Sequence, residues 1–114
     1  MPTLNFIKQT LFRLAHQAIS TTSDEWYNLW SIGIYTSSSP VSLMPAPGIT
    51  NPVLRCDDVR DVCSLMVADP FTIKVGDIWY MFFELYTRRS HGEIGCAISN
   101  DGFKWTYQVV EGCR

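Results

Sequence analysis

The run from Ile78 to Tyr86, IWYMFFELY, sets the strongest condition on how this chain folds. Side chains alternate across a β-strand, so a sheet with one wet face shows apolar and polar residues in turn. Here both alternating sets are apolar, and such a strand must be covered from both sides. Each large side chain left in water forgoes about 1.5 to 3 kcal/mol of burial, a heavy loss against a net stability of about 5 to 15 kcal/mol.

The surroundings of this run have the rhythm of short strands separated by turn residues. Strands are predicted at Phe71 to Val75, Ile78 to Tyr86, Glu93 to Ser99 and Lys104 to Val110. Gly76-Asp77, Thr87 to Gly92 and Asn100-Asp101-Gly102 supply the turns. The expected product is an antiparallel up-and-down meander. In its third strand Gly95, Cys96 and Ala97 are small enough to admit another sheet at close range. A propeller blade, held between two neighbours, satisfies both conditions.

Ahead of the meander, Trp30 to Thr36 (WSIGIYT) is rich in aromatic and β-branched residues and reads as an extra strand. The stretch from Ser37 to Val67 reads as a long irregular loop, because Pro40, Pro45, Pro47, Gly48 and Pro52 interrupt regular structure. From Pro2 to Ser20, Leu4, Ile7, Leu11, Leu14 and Ala18 recur at spacings of three and four, which predicts a helix capped by Thr3. The fold expected is therefore mainly β: one four-stranded antiparallel blade plus an extra N-terminal strand, preceded by an α-helix. Residues 1–25 form the helical lead-in and 26–114 the partial propeller.

Composition narrows the function classes. At 114 residues the chain supports one core, and 46% hydrophobic against 18% charged residues describes a globular chain. A net charge of -2 with scattered Lys and Arg gives no footprint for nucleic acid. No run is long enough to span a bilayer, and Lys8, Arg13 and His16 break up any signal-peptide core. A soluble cytoplasmic protein is expected, with an organelle transit peptide as the alternative. Cys56, Cys63, Cys96 and Cys113 form no CxxC pair and have no His at metal-ligand spacing, so they read as free thiols, although Cys56 and Cys63 could bridge a loop. No metal or cofactor is expected.

Asn51-Pro52-Val53-Leu54, Val67-Ala68-Asp69-Pro70-Phe71, Trp79-Tyr80-Met81-Phe82-Phe83-Glu84, Gly92-Glu93-Ile94-Gly95 and Ser99-Asn100-Asp101-Gly102-Phe103-Lys104-Trp105 follow one another in an order that carries a resemblance. They resemble the start of five-bladed propellers related to glycoside hydrolase family 43. They are more closely similar to the N-terminal propeller domain of plant glucosamine inositolphosphorylceramide transferases and of bacterial glycosyl hydrolase-like proteins. The resemblance covers roughly Trp26 to Val110. It implies that Trp30 to Thr36 is the strand that pairs with a last blade, and that further blades follow Val110 in other members.

Family 43 hydrolases use three carboxylates from different blades, and the resemblance implies that Asp69, in its Asp-Pro context, is the general base. An inverting glycosidase needs a base and an acid about 6.5 to 9.5 Å apart. The alternative for Asp69 is a structural aspartate that binds backbone amides. Glu84 ends the apolar strand and either reaches a substrate or stands in water, and Glu93, near the start of the third strand, reads as a charged residue of the strand end. Trp79 and Trp105 have faces suited to stacking on a sugar or to core packing. Asp57, Asp58 and Asp61 beside Arg55 and Arg60 read as a sugar-hydroxyl or cation site or as a solvated surface. Ser99 to Trp105 resembles a shortened sialidase Asp-box, whose role is architectural.

Two functions are expected to compete. One is a carbohydrate-active propeller piece that is not catalytic alone. The other is an interaction module that completes its sheets by homo-oligomerising or by docking on another protein.

Overall fold

The computed structural model describes residues 4–11, 30–87 and 92–110, with side chains from residue 30 onward. Two antiparallel sheets pack against one another. The first contains β1 (Leu4–Leu11), β2 (Trp30–Ser37) and the two-residue β3 (Met44–Pro45), in the order β1-β2-β3. The second is a meander of β4 (Ser64–Val75), β5 (Ile78–Thr87), β6 (Gly92–Ser99) and β7 (Thr106–Gln108), in the order β4-β5-β6-β7. The fold is mainly β, and the meander is the expected four-stranded blade.

The core lies between the sheets. Ile32 and Ile34 of β2 and Leu54 of the connecting segment meet Val67, Met81, Phe83, Leu85, Ala97 and Tyr107 of the blade. The β5–β6 register places Phe83 opposite Gly95. A Cβ on Gly95 would come within 2.5 Å of Phe83 Cζ and 2.9 Å of Leu85 Cδ2, so the missing side chain is the room into which the Phe83 ring folds. Thus Gly95 serves its own cross-strand partner, where the sequence suggested the approach of another sheet.

Residues 4–11 do not realise the helix expected over Pro2 to Ser20. They form β1, an unbroken antiparallel ladder with β2 from Leu4 opposite Ser37 to Leu11 opposite Trp30. A short helix is marginal on local propensity, whereas this ladder satisfies one edge of β2 along its full length. The remainder of the expected helix lies outside the described residues.

The stretch from Ser37 to Val67 is irregular but well tied. Ile32 N–H donates to the Leu54 carbonyl at 2.9 Å, and Val53 N–H donates to the Ile32 carbonyl at 2.8 Å. Between these bonds and β3, the Asn51 side chain acts as a surrogate strand residue. Ile34 N–H donates to Asn51 Oδ1 at 2.8 Å, and Asn51 Nδ2 donates to the Ile34 carbonyl at 2.9 Å. Gly33 makes this possible, since a Cβ there would stand 3.2 Å from Asn51 Cγ. A single 3-10 turn, Cys56–Asp58, follows.

Two strand limits differ from the sequence reading. The strand β4 starts at Ser64, well before Phe71, because Ser64 and Met66 to Ala68 already pair with β5. The strand β7 is confined to Thr106–Gln108, because Lys104 belongs to the preceding turn.

Candidate functional site

A one-residue bulge in β4 creates the feature on which the site is built. Ala68 pairs with Glu84 and Phe71 with Phe82, so Asp69 and Pro70 together oppose Phe83. Asp69 takes a φ of 49°, a left-handed conformation that few residues other than glycine adopt and that aspartate tolerates better than most. Pro70 has no N–H to give to a ladder, so the interruption accommodates it.

Before the bulge, Leu65 and Val67 face the packed side. After it, Thr72 pairs with Met81 of the packed side, while Phe71, Ile73 and Val75 stand on the open side with Phe82 and Tyr80. The open face is strongly apolar: Phe71 is 66% exposed, Val75 59% and Ile94 58%. The apolar double face of β5 thus has one side in the core and the other uncovered among the described residues.

Asp69 and Glu84 share a shallow hollow of ≈ 350 Å3 on this open face, with Phe71, Phe82 and Ile94 as apolar lining and Phe83, Gly92 and Glu93 completing the wall. The Glu84 side chain lies across Gly92, where a Cβ would stand 2.7 Å from Glu84 Oε1. Glu93 is opposite Leu85 in the register and so belongs to the packed side of β6. The hollow therefore offers one exposed carboxylate on a strained backbone, a second on the neighbouring strand, and an aromatic floor. Such a set can bind polar groups from two directions while an apolar surface faces the floor.

Of the residues singled out in the sequence, Asp69 and Glu84 come together, and Trp79 and Trp105 do not join them. Trp79 lies beside Gly102, with Lys74 Nζ 5.6 Å from its ring centroid. Trp105 Nε1 donates to the Gly102 carbonyl at 3.1 Å. Phe71 and Phe82 were not singled out, and the signal that could have found them is the Asp-Pro bulge that turns Phe71 outward.

The turn after β6 has the architecture the sequence suggested. Asp101 Oδ1 accepts from Phe103 N–H and Lys104 N–H, both at 2.8 Å, and from the Ser99 hydroxyl at 3.0 Å. The Lys104 and Phe103 amides hold the Asp101 carboxyl below its ordinary range. Among the described residues, no three His, Cys, Asp or Glu side chains converge as a metal site, and no helix is long and apolar enough to cross a membrane.

Residues 22–111 match the family model described as "Glucosamine inositolphosphorylceramide transferase 1, N-terminal". The chain belongs to this family. Two relatives show the scale. The glucosamine inositolphosphorylceramide transferase 1 of Arabidopsis thaliana is 37% identical over 92 residues, a match covering 67% of this chain and 12% of the relative. Its counterpart in Oryza sativa subsp. indica is 36% identical over 94 residues, covering 68% and 13%. The chain thus spans about an eighth of the length of these relatives. In fold it is similar to the GH32 beta-fructofuranosidase of Bombyx mori, with a TM-score of 0.58 at 22% identity, over 96% of this chain and 20% of that one.

Proposed function

We propose that this chain is the first-blade portion of a carbohydrate-active, glycoside hydrolase-like propeller, with Asp69 as the general base of a site completed by chain beyond these residues. The supporting observation is the bulge that presents Asp69 at φ 49° on the lip of an aromatic hollow shared with Glu84. Backbone strain of this kind costs about 1 to 3 kcal/mol and persists where the surrounding structure supports it, often at functional sites. The relatives' name speaks of glucosamine, which favours a sugar as the ligand class.

Glu84 would then position a sugar hydroxyl, and Phe71 and Phe82 would carry its apolar face. The acid partner must come from another blade, so the chain alone binds without turning over. The test is hydrolysis or glycosyl transfer in a protein that carries this segment with its remaining blades. Asp69→Asn should lower turnover by at least about a hundredfold, the scale of a lost general base. Unchanged turnover sinks the assignment.

A second reading is favoured by the apolar face of Phe71, Ile73, Val75, Phe82 and Ile94. An uncovered patch of this kind is an interaction surface, here for a second copy or a docked sheet. Light scattering over a dilution series should show a concentration-dependent mass that Phe71→Ser with Ile94→Ser reduces. A well-folded monomer at all concentrations removes this reading.

A further inference from the structure

The second hollow with ligand chemistry lies at the other edge of the blade. Asp69 stands on β4, one edge strand, whereas β7 is the opposite edge. Beside β7, Asp57, Asp58, Arg60, Trp105, Thr106 and Tyr107 line a depression of ≈ 280 Å3. The loop and the strand that form it are far apart in sequence, and the fold brings them together.

Both walls are held in place before any ligand arrives. On the loop side, Arg55 N–H donates to Asp58 Oδ2 at 2.7 Å, closing the 3-10 turn that carries Asp57. The Tyr107 hydroxyl donates to Asp61 Oδ1 at 2.6 Å, which fastens the end of that loop to β7. On the strand side, the Trp105 indole is fixed by its bond to the Gly102 carbonyl, and Gly102 in turn by the Ser99 hydroxyl at 2.8 Å. Groups already ordered lose little entropy on binding, so a shallow site on such walls gains affinity that a mobile one does not.

The lining combines a half-buried indole, two exposed carboxylates, an exposed guanidinium and a hydroxyl. An indole face covers the apolar C–H face of a pyranose ring, while carboxylates accept from its hydroxyls and a guanidinium donates to its oxygens. A bare cation would meet Arg60 in the rim, and a simple anion would meet Asp57 and Asp58. A neutral ring with both donors and acceptors around its edge and an apolar face satisfies all of them.

We infer that the Trp105 hollow beside β7 is a second saccharide-binding site, separate from the Asp69 hollow and independent of any catalysis there. Its ligand is one or two neutral pyranose units of a longer glycan.

The test uses the full chain, labelled with nitrogen-15 and titrated with cellotriose and, separately, mannotriose, with the indole resonance of Trp105 identified by Trp105→Phe. At least one trisaccharide should give a saturating shift of that resonance with a dissociation constant of about 1 mM, equivalent to about -4 kcal/mol. Asp57→Asn and Arg60→Ala, both at exposed positions, should each weaken binding about fivefold or more, while Asp69→Asn leaves it unchanged. The inference is overturned by three outcomes: no saturation with either sugar up to about 20 mM, twenty times the constant expected; titrations that Asp57→Asn and Arg60→Ala do not alter; or the same shifts produced by calcium chloride alone. Loss of turnover by Asp69→Asn in the protein that carries the remaining blades, with this titration intact in the chain, would separate the two sites.

Discussion

Replacing Asn51 by alanine should be among the most damaging single changes outside the apolar core. The Asn51 side chain closes both backbone bonds of Ile34, at 2.8 and 2.9 Å, and Ile34 is fully buried. A buried group stripped of its partner costs about 1 to 3 kcal/mol, so two such groups set a range of about 2 to 6 kcal/mol. Asn51 itself is half-buried, which lets water reach part of the gap and brings the expectation to about 2 to 4 kcal/mol. On a domain of this size that corresponds to a fall of about 10 to 20 °C in Tm.

The aspartate variant sharpens the reasoning, because Asn51→Asp keeps the acceptor for Ile34 N–H and loses the donor to its carbonyl. When protonated, the introduced carboxyl regains a donor, so its folded-state pKa should lie above its unfolded value. The contribution is then fully present below the unfolded pKa and is lost as pH rises through the folded one. Urea unfolding followed by tryptophan fluorescence, at about pH 4 and pH 7, would measure both variants. An alanine variant within about 0.5 kcal/mol of the parent would refute the surrogate-strand account, as would an aspartate variant that is more stable at the higher pH.

Three further outcomes are expected. Gly95→Ala should destabilise by about 1 to 3 kcal/mol, because the new methyl enters the space of the Phe83 ring; calorimetry that finds the variant as stable as the parent would contradict the packing. Asp101→Asn should flatten the acid limb of the stability curve. The lowered folded pKa means that the carboxylate contributes above its unfolded value of about 3.9 and that this contribution is lost as pH falls through the folded value; an unchanged acid limb would count against the turn geometry. With a thiol reagent at alkaline pH, exposed Cys63 should react first among the three described cysteines. Cys56 follows, its thiol pushed up by burial and by the charge of Asp57, and Cys96, raised by burial, comes last; rapid labelling of Cys96 in the folded protein would be inconsistent with its place in β6.

The legibility of this fold in its sequence depended on whether the deciding partner was near or far along the chain. Strands β5 and β6 and their turns could be read locally, since alternation, Gly76-Asp77 and Asn100-Asp101-Gly102 need no distant information. Residues 4–11 were misread as helix because the helical spacing of Leu4, Ile7 and Leu11 is a local signal. Their actual state is set by a ladder to β2, many residues away. Likewise the tie of Asn51 to Ile34, 17 residues apart, leaves no mark in composition, so the segment read as loose loop.

The site divides in the same way. Asp69 was legible from its Asp-Pro context and Glu84 from its place at the end of an apolar run. Which aromatics surround them does not follow from the alternation alone, because the bulge at Asp69-Pro70 chooses the open face. Trp79 and Trp105 attract attention as candidate sugar platforms, yet the turn around Gly102 draws both away from the Asp69 hollow.

That bulge can be removed without disturbing its surroundings. Losing one of the two residues at Asp69-Pro70 would leave the other opposite Phe83, with Ala68 still facing Glu84 and Phe71 still facing Phe82, so Phe71 to Val75 would keep their side and Leu65 and Val67 theirs. The strained aspartate is thus the one part of β4 that the pairing of the strand does not need. The position that shapes the Asp69 hollow is a detachable one, and its presence is a demand of the site and not of the blade.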